Sequence, residues 1–257
     1  MSHLTVAERR NAIIELLNES GRVKVNSLSE QFGVTGVVIR SDLAELEKKG
    51  LLTRVHGGAI TSYKSYYDMS FVQRSNTNAP EKKAIARAIS SMIHNNDTIM
   101  MNAGTTPLFV MRELGDKVVT IVTNSIALAL EGSKKPNLKI LLLGGNVDAS
   151  YQFTYGLSAL RELDRYTADV LVLSVDGVDV EKGITTFYHE EAELCKKMIK
   201  NAKQTVVAAD FSKIDRVAFA EVDSIMAIDK IVTNKKDDMS PVLEQLRALD
   251  IEVIDVS

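Results

Sequence analysis

A single residue, Val34, stands between Gly33, a residue suited to end one helix, and Thr35, a hydroxyl suited to cap the next. So short a turn sends the second helix out at a steep angle, as entry into a DNA major groove ~12 Å wide requires. Upstream, Thr5-Val-Ala-Glu8 has capping-box spacing, and Val6, Ile13, Ile14 and Leu17 recur at helical intervals up to Gly21. Arg22-Val-Lys-Val25 alternates like a short strand. A brief helix is predicted from about Ser27 to Phe32, opened by Asn26 or Ser27. The helix capped by Thr35 runs to about Lys49, turns Ile39, Leu43 and Leu46 inward, and stops at Gly50. Two β-like pieces then flank His56-Gly57-Gly58, where glycine permits a tight turn. The succession describes a winged helix-turn-helix over residues 1–60.

That architecture serves DNA and, in other modules, protein partners. Arg40 discriminates, because it is a cation on the third helix outside the inward stripe of Ile39, Leu43 and Leu46. Thr35, Gly36, Val37 and Ser41 accompany it as candidate DNA contacts, with Arg9, Arg22, Lys24, Arg54 and His56 at flanking positions. Charge alone decides little. The chain carries net −3, split as +1 over the first 60 residues and −4 over the rest, so it is no general polyanion binder.

Residues 61–79 read as a polar, irregular linker, although Tyr63, Tyr66, Tyr67 and Phe71 are too aromatic for a fully solvated tether. Pro80 suits the first turn of a helix through about Ile93. From Asn95 onward short apolar strands alternate with helices. The strands are predicted at Thr98–Asn102, Val118–Val122, Leu138–Leu143, Val170–Val175, Thr205–Ala209, Lys230–Thr233 and Glu252–Val256. This is an α/β pattern, a parallel sheet covered on both faces, over residues 80–257.

Ligands of open α/β sheets bind beyond the carboxyl ends of the strands. There the chain places five clusters: Asn102-Ala-Gly104-Thr105-Thr106; Thr123-Asn124-Ser125; Gly144-Gly145-Asn146; Ser174-Val-Asp176-Gly177-Val-Asp179 followed by Gly183-Ile-Thr185-Thr186; and Asp210-Phe-Ser-Lys213. Thr106 and Ser125 fall at helix N-termini, where free N–H groups favour an anion such as phosphate. Any one such cluster is also ordinary turn-and-cap chemistry; five in succession point to a ligand. No Gly-x-Gly-x-x-Gly or Walker loop occurs, so no nucleotide cofactor is expected, and four scattered histidines with one cysteine give no metal site. Cys195, near Leu194 and Met198 in a predicted helix, reads as a packed thiol. The lack of an apolar run of ~20 residues and of a secretory leader predicts a cytoplasmic protein without a membrane partner.

The stretch Val34-Thr-Gly-Val-Val-Ile-Arg-Ser-Asp-Leu-Ala-Glu-Leu-Glu-Lys-Lys-Gly-Leu-Leu-Thr-Arg-Val-His-Gly-Gly-Ala59 resembles the recognition helix and wing of the DeoR (GlpR) family of bacterial transcriptional regulators. The downstream Gly-Thr-Thr, Thr-Asn-Ser, Gly-Gly, Asp-Gly-Val-Asp, Gly-Ile-Thr-Thr and Ser-Lys elements follow in that family's order. The DNA-binding part looks most like repressors of galactitol and amino-sugar operons. The resemblance implies a C-terminal α/β effector domain like a sugar-phosphate isomerase, catalytically inactive, in which a sugar phosphate acts as inducer. It also extends the candidate effector residues to Glu191. Departures from the family pattern fall at Asn102, Asp148, Tyr188-His189, Phe211 and Ser41, where an acid, a base, Asn-Glu, Ser and Arg are usual.

The expectation is therefore a repressor with operator double-stranded DNA and a sugar phosphate as partners. One small winged helix grips too little DNA alone, so a homodimer or homotetramer is expected. The competing reading is a sugar-phosphate isomerase or deaminase fused to a DNA-binding module, with Asp176, Asp179, Glu191 and Lys213 as acid–base groups. A protein-binding scaffold leaves the polar strand ends unexplained.

Overall fold

The computed structural model describes residues 4–20, 22–55, 57–61, 69–234 and 240–256, with backbone alone at 18–20, 22, 61 and 240. The chain divides into two compact units, Met1–Ala79 and Pro80–Ser257.

In the first unit, α1 (Val6–Ser20) opens on the expected capping box: the Thr5 N–H donates to Glu8 Oε2 at 2.8 Å and the Glu8 N–H to Thr5 Oγ1 at 3.3 Å. Val6 itself is 51% exposed, so the apolar face begins with Ile13 and Leu17. After β1 (Arg22–Lys24), α2 (Val25–Phe32) starts two residues before Ser27. The reason is packing: Val25 and Leu28 are both buried, and their i, i+3 spacing outweighs the capping preference of Asn26 and Ser27. Gly33, at φ 64°, ends α2, and Thr35 Oγ1 accepts from the Val38 N–H to start α3 (Gly36–Lys48). Ile39, Leu43 and Leu46 of α3 share one core with Ile13, Leu17 and Leu28. A hairpin of β2 (Leu52–Val55) and β3 (Gly58–Thr61) follows, and β1 joins it on the far side of β3. That third strand comes close enough that a Cβ at Gly58 would stand 2.1 Å from the Val23 carbonyl oxygen. Within the predicted linker a helix forms at Phe71–Asn76, opened by a reciprocal Ser70–Gln73 capping box and seated on buried Phe71. Tyr63, Tyr66 and Tyr67 lie outside the described residues.

The second unit contains β4 (Thr98–Met101), β5 (Val119–Thr123), β6 (Leu138–Leu142), β7 (Asn146–Asp148), β8 (Phe153–Tyr155), β9 (Val170–Leu173), β10 (Gly177–Asp179), β11 (Gly183–Thr186), β12 (Thr205–Ala208), β13 (Ala220–Asp223), β14 (Lys230–Thr233) and β15 (Glu252–Asp255). Seven of them form one parallel sheet in the order β15-β14-β12-β9-β4-β5-β6. Central β9, β4 and β12 hold runs of buried residues, as strands packed on both faces must; the edges β6 and β15 do not. The smaller antiparallel sets β10-β11-β13 and β7-β8 are additional to the strands expected from sequence. Among the described residues no helix is long and apolar enough to cross a membrane.

Chain order runs outward from β4 to β6 on one side of the large sheet and from β9 to β15 on the other. The switch falls between β4 and β9, where the connections diverge; in open α/β sheets such a point leaves a crevice beyond the carboxyl ends.

Candidate functional sites

The first candidate surface is the outward side of α3. Val37, Arg40 and Ser41, spaced i, i+3 and i+4, are all exposed, and Thr35 is exposed at the cap. Lys24 is exposed at the entry to α2. Arg54 is exposed in β2, with its Nε 2.7 Å from Glu47 Oε2 and its N–H donating to Glu47 Oε1. His56 and the side chain of Arg22 lie outside the described residues. Arg9 requires a correction. Expected at the flank of a DNA surface, it is 7% exposed, and its Nε donates to Asp42 Oδ2 at 2.6 Å. Asp42 Oδ1 accepts from Arg10 Nε at 2.8 Å, so one carboxylate on α3 holds two adjacent arginines of α1. A buried carboxylate requires such compensation. Asp42 escaped the sequence reading, though a charge among Ile39, Leu43 and Leu46 on an inward face was a visible signal.

The second candidate site is the switch-point crevice. Asn102, fully buried after β4, bridges it: its Nδ2 donates to the Ser174 carbonyl at 2.8 Å and its Oδ1 accepts from the Ser174 N–H at 2.8 Å. The same Nδ2 lies 3.3 Å from Glu191 Oε1 and 3.4 Å from Cys195 Sγ. An amide supplies both donor and acceptor here, which a carboxylate could not. Gly104 has no Cβ because one would meet the Ser174 side chain at 2.6 Å.

Beyond Ser174, Asp176 gathers a polar cluster. Its Oδ2 accepts from Thr186 Oγ1 at 3.1 Å and from the Phe187 N–H, and its Oδ1 stands 3.2 Å from Lys213 Nζ. Thr186 Oγ1 also reaches Glu191 Oε2 at 3.3 Å. Thus Asn102, Asp176, Thr186, Glu191 and Lys213, from five separate places in the chain, form one connected set. Two further charges belong beside it, of which the sequence reading missed Lys82. Asp210 follows β12 and is buried; burial pushes its carboxyl up, but Lys82, Lys213 and the Ser212 groups outweigh that and hold it below the usual carboxylate range. Lys82 is 1% exposed, on the inner face of its helix with Ile85 and Ile89, a placement that its helical spacing could have betrayed. Burial, with Glu191 and Asp176 nearby, pushes the Cys195 thiol well up.

Other expected effector residues serve the framework instead. Thr123 Oγ1 accepts from the Ser125 N–H, Ser125 Oγ caps the following helix at Leu128, and Asn124 ties Ala103 to Thr154. All three are fully buried, and their groups are spent on turn and cap. Asp179 Oδ1 accepts from the Glu181 and Lys182 N–H groups at the β10–β11 turn. Thr185 Oγ1 accepts from the Ala218 N–H, and Gly177 leaves room for the Arg216 carbonyl. Gly144 donates to Glu162 Oε2, and Gly145, at φ 140°, abuts the Tyr155 carbonyl. Thr105 and Thr106 are buried at the head of the helix Thr105–Glu113, next to the crevice through Gly104. Asp148 Oδ1 accepts from the Tyr151 N–H within the β7–β8 turn, while Tyr188 packs edge-on against Tyr151 and Phe153. Phe211 is buried, and His189 is exposed with its Nδ1 3.2 Å from Glu190 Oε2.

Comparison with known proteins fits this division. Residues 9–64 match the DeoR-like helix-turn-helix domain, and residues 77–235 match the DeoR C-terminal sensor domain. An uncharacterized HTH-type transcriptional regulator of Bacillus subtilis, YulB, is 35% identical over 232 residues, covering 90% of each chain. A putative aga operon transcriptional repressor of Escherichia coli O157:H7 is 33% identical over 96% of this chain and 93% of its own. The glycerol-3-phosphate regulon repressor of Escherichia coli K12 is 31% identical over 88% and 90%. Among solved structures, ribose 5-phosphate isomerase A of Methanocaldococcus jannaschii aligns at a TM-score of 0.40 with 18% identity, over 53% of this chain and 55% of that one. With its helix-turn-helix unit and its sensor unit both matching, the chain belongs to the DeoR family of transcriptional regulators.

Proposed function

We propose that this protein represses a carbohydrate-catabolism operon, binding operator double-stranded DNA through α3 and the β2–β3 wing as a homodimer or homotetramer in the cytoplasm. A phosphorylated sugar in the switch-point crevice releases it. The observation that carries the DNA half is the exposed stripe Val37–Arg40–Ser41, directly opposite the buried stripe Ile39–Leu43–Leu46. The effector half rests on Lys213, a buried cation at the strand ends beside Thr186 and Asp176. Phosphate there would compete with Asp176 for that cation, which couples ligand entry to a rearrangement of the cluster. Relatives named as repressors of an aga operon and of a glycerol-3-phosphate regulon support a role in the use of phosphorylated carbohydrates.

An isomerase or deaminase reading is weaker. Its acid–base groups, Asp176, Glu191 and Lys213, are bound to one another's neighbours, and Asp179 is spent on a turn. The relatives matched over nearly the whole chain are named as regulators. The test is a band shift with full-length protein on the DNA upstream of its own gene, repeated with a panel of sugar phosphates. Retardation that one phosphorylated sugar reverses supports the reading. Turnover of a sugar phosphate without DNA binding would sink it.

A further inference from the structure

The exposed end of α3 pairs two chemically different groups. Arg40 reaches back toward the helix N-terminus, and both its terminal nitrogens lie 3.8 Å from where a Cβ on Gly36 would sit. The guanidinium therefore lies over the first turn of the helix. On the same turn Val37 holds its isopropyl group 71% exposed, the most exposed of the large apolar side chains on α3. Nothing in the core needs Val37: the inward stripe is complete with Ile39, Leu43 and Leu46. An aliphatic group held in water on a recognition surface costs free energy unless a partner covers it.

We infer that Val37 is a specificity-determining residue that reads the C5-methyl group of a thymine, within one base step of a guanine read by Arg40. The inference rests on the proposed operator binding. The chemistry is complementary at each position. Guanine offers O6 and N7 to a two-pronged donor, and thymine is the one base whose major-groove edge carries a methyl group. The guanidinium lies over Gly36 and Val37 is the next residue along the helix, so their targets are neighbouring base pairs on either strand. Ser41, one turn beyond Val37 and directly after Arg40, continues the same stripe.

Full-length protein is used to select duplexes from a random-sequence pool, and each thymine of the enriched site is then replaced by deoxyuridine, which deletes one methyl. Burial of one such group corresponds to about a fourfold change in affinity. One thymine per half-site should show that loss, next to the guanine at which Arg40→Ala abolishes base preference. Val37→Ala, an exposed change to a better helix former, should bind both duplexes equally, because the methyl has lost its contact. Deoxyuridine tolerated at every thymine overturns the inference, as does a Val37→Ala protein that keeps the full penalty. A pool with no enriched duplex overturns the operator-binding reading as well.

Discussion

Lys213 Nζ lies 3.2 Å from Asp176 Oδ1, and the two side chains are only 7% and 18% exposed. Asp176 follows β9 and Lys213 follows β12, so this contact closes the two neighbouring strand ends across the proposed effector site. Lys213→Ala removes a charged partner from the Asp176 carboxylate and should cost roughly 1–3 kcal/mol of stability. It should also abolish stabilisation by the inducing sugar phosphate, while operator affinity without ligand stays unchanged. Urea unfolding and band shifts measure both. A variant still stabilised by the ligand would exclude Lys213 from the site.

The carboxylate of Asp42 is 3% exposed and holds both Arg9 and Arg10. Asp42→Ala leaves Arg9 buried without that acceptor and should lower stability by roughly 3–5 kcal/mol. Arg10→Ala, at a 24% exposed partner, should cost less, roughly 1–2 kcal/mol, because Arg9 still faces Asp42. Chemical denaturation of the two variants decides; equal losses would contradict the difference in burial.

Asp210 has a folded pKa below its unfolded one, despite burial, because Lys82 and Lys213 favour its charged form. Its contribution to stability is therefore fully present above the unfolded value, about 3.9, and is lost as pH falls through the folded value. Lys82→Met should raise that folded pKa toward the unfolded value, so the variant should be less stable at neutral pH but lose less stability than the parent as pH falls. Urea midpoints taken from neutral to acid pH test this, and superimposable curves would remove Lys82 from the interaction.

Cys195 is 1% exposed, and burial keeps its thiol protonated well past the usual range. A thiol-specific reagent should react with native protein only as fast as the chain opens, and at once in denaturant. Rapid labelling of folded protein would place Cys195 in contact with solvent.

What the sequence determined by itself is what short-range physics dictates. Thr5 and Thr35 cap helices because each stands directly before the first free N–H groups of its helix. Ile39, Leu43 and Leu46 face inward because their spacing leaves one apolar stripe, and the β-branched runs at Thr98, Val119, Leu138, Val170 and Thr205 formed a parallel sheet for the same reason. Tertiary structure alone decided the charge pairing. Asp42 meets Arg9 across 33 residues, Asn102 meets Ser174 across 72 and Glu191 across 89, and Lys213 meets Asp176 across 37. The first follows from the packing of α3 against α1, the others from strand order, above all the reversal between β4 and β9, and no local pattern encodes either. Hence Thr123, Asn124 and Ser125 read from sequence as ligand contacts yet serve as turn and cap, while Lys82 stood unnoticed. A polar side chain looks the same in sequence whether it faces a ligand or a neighbouring backbone; only its packed surroundings distinguish the two.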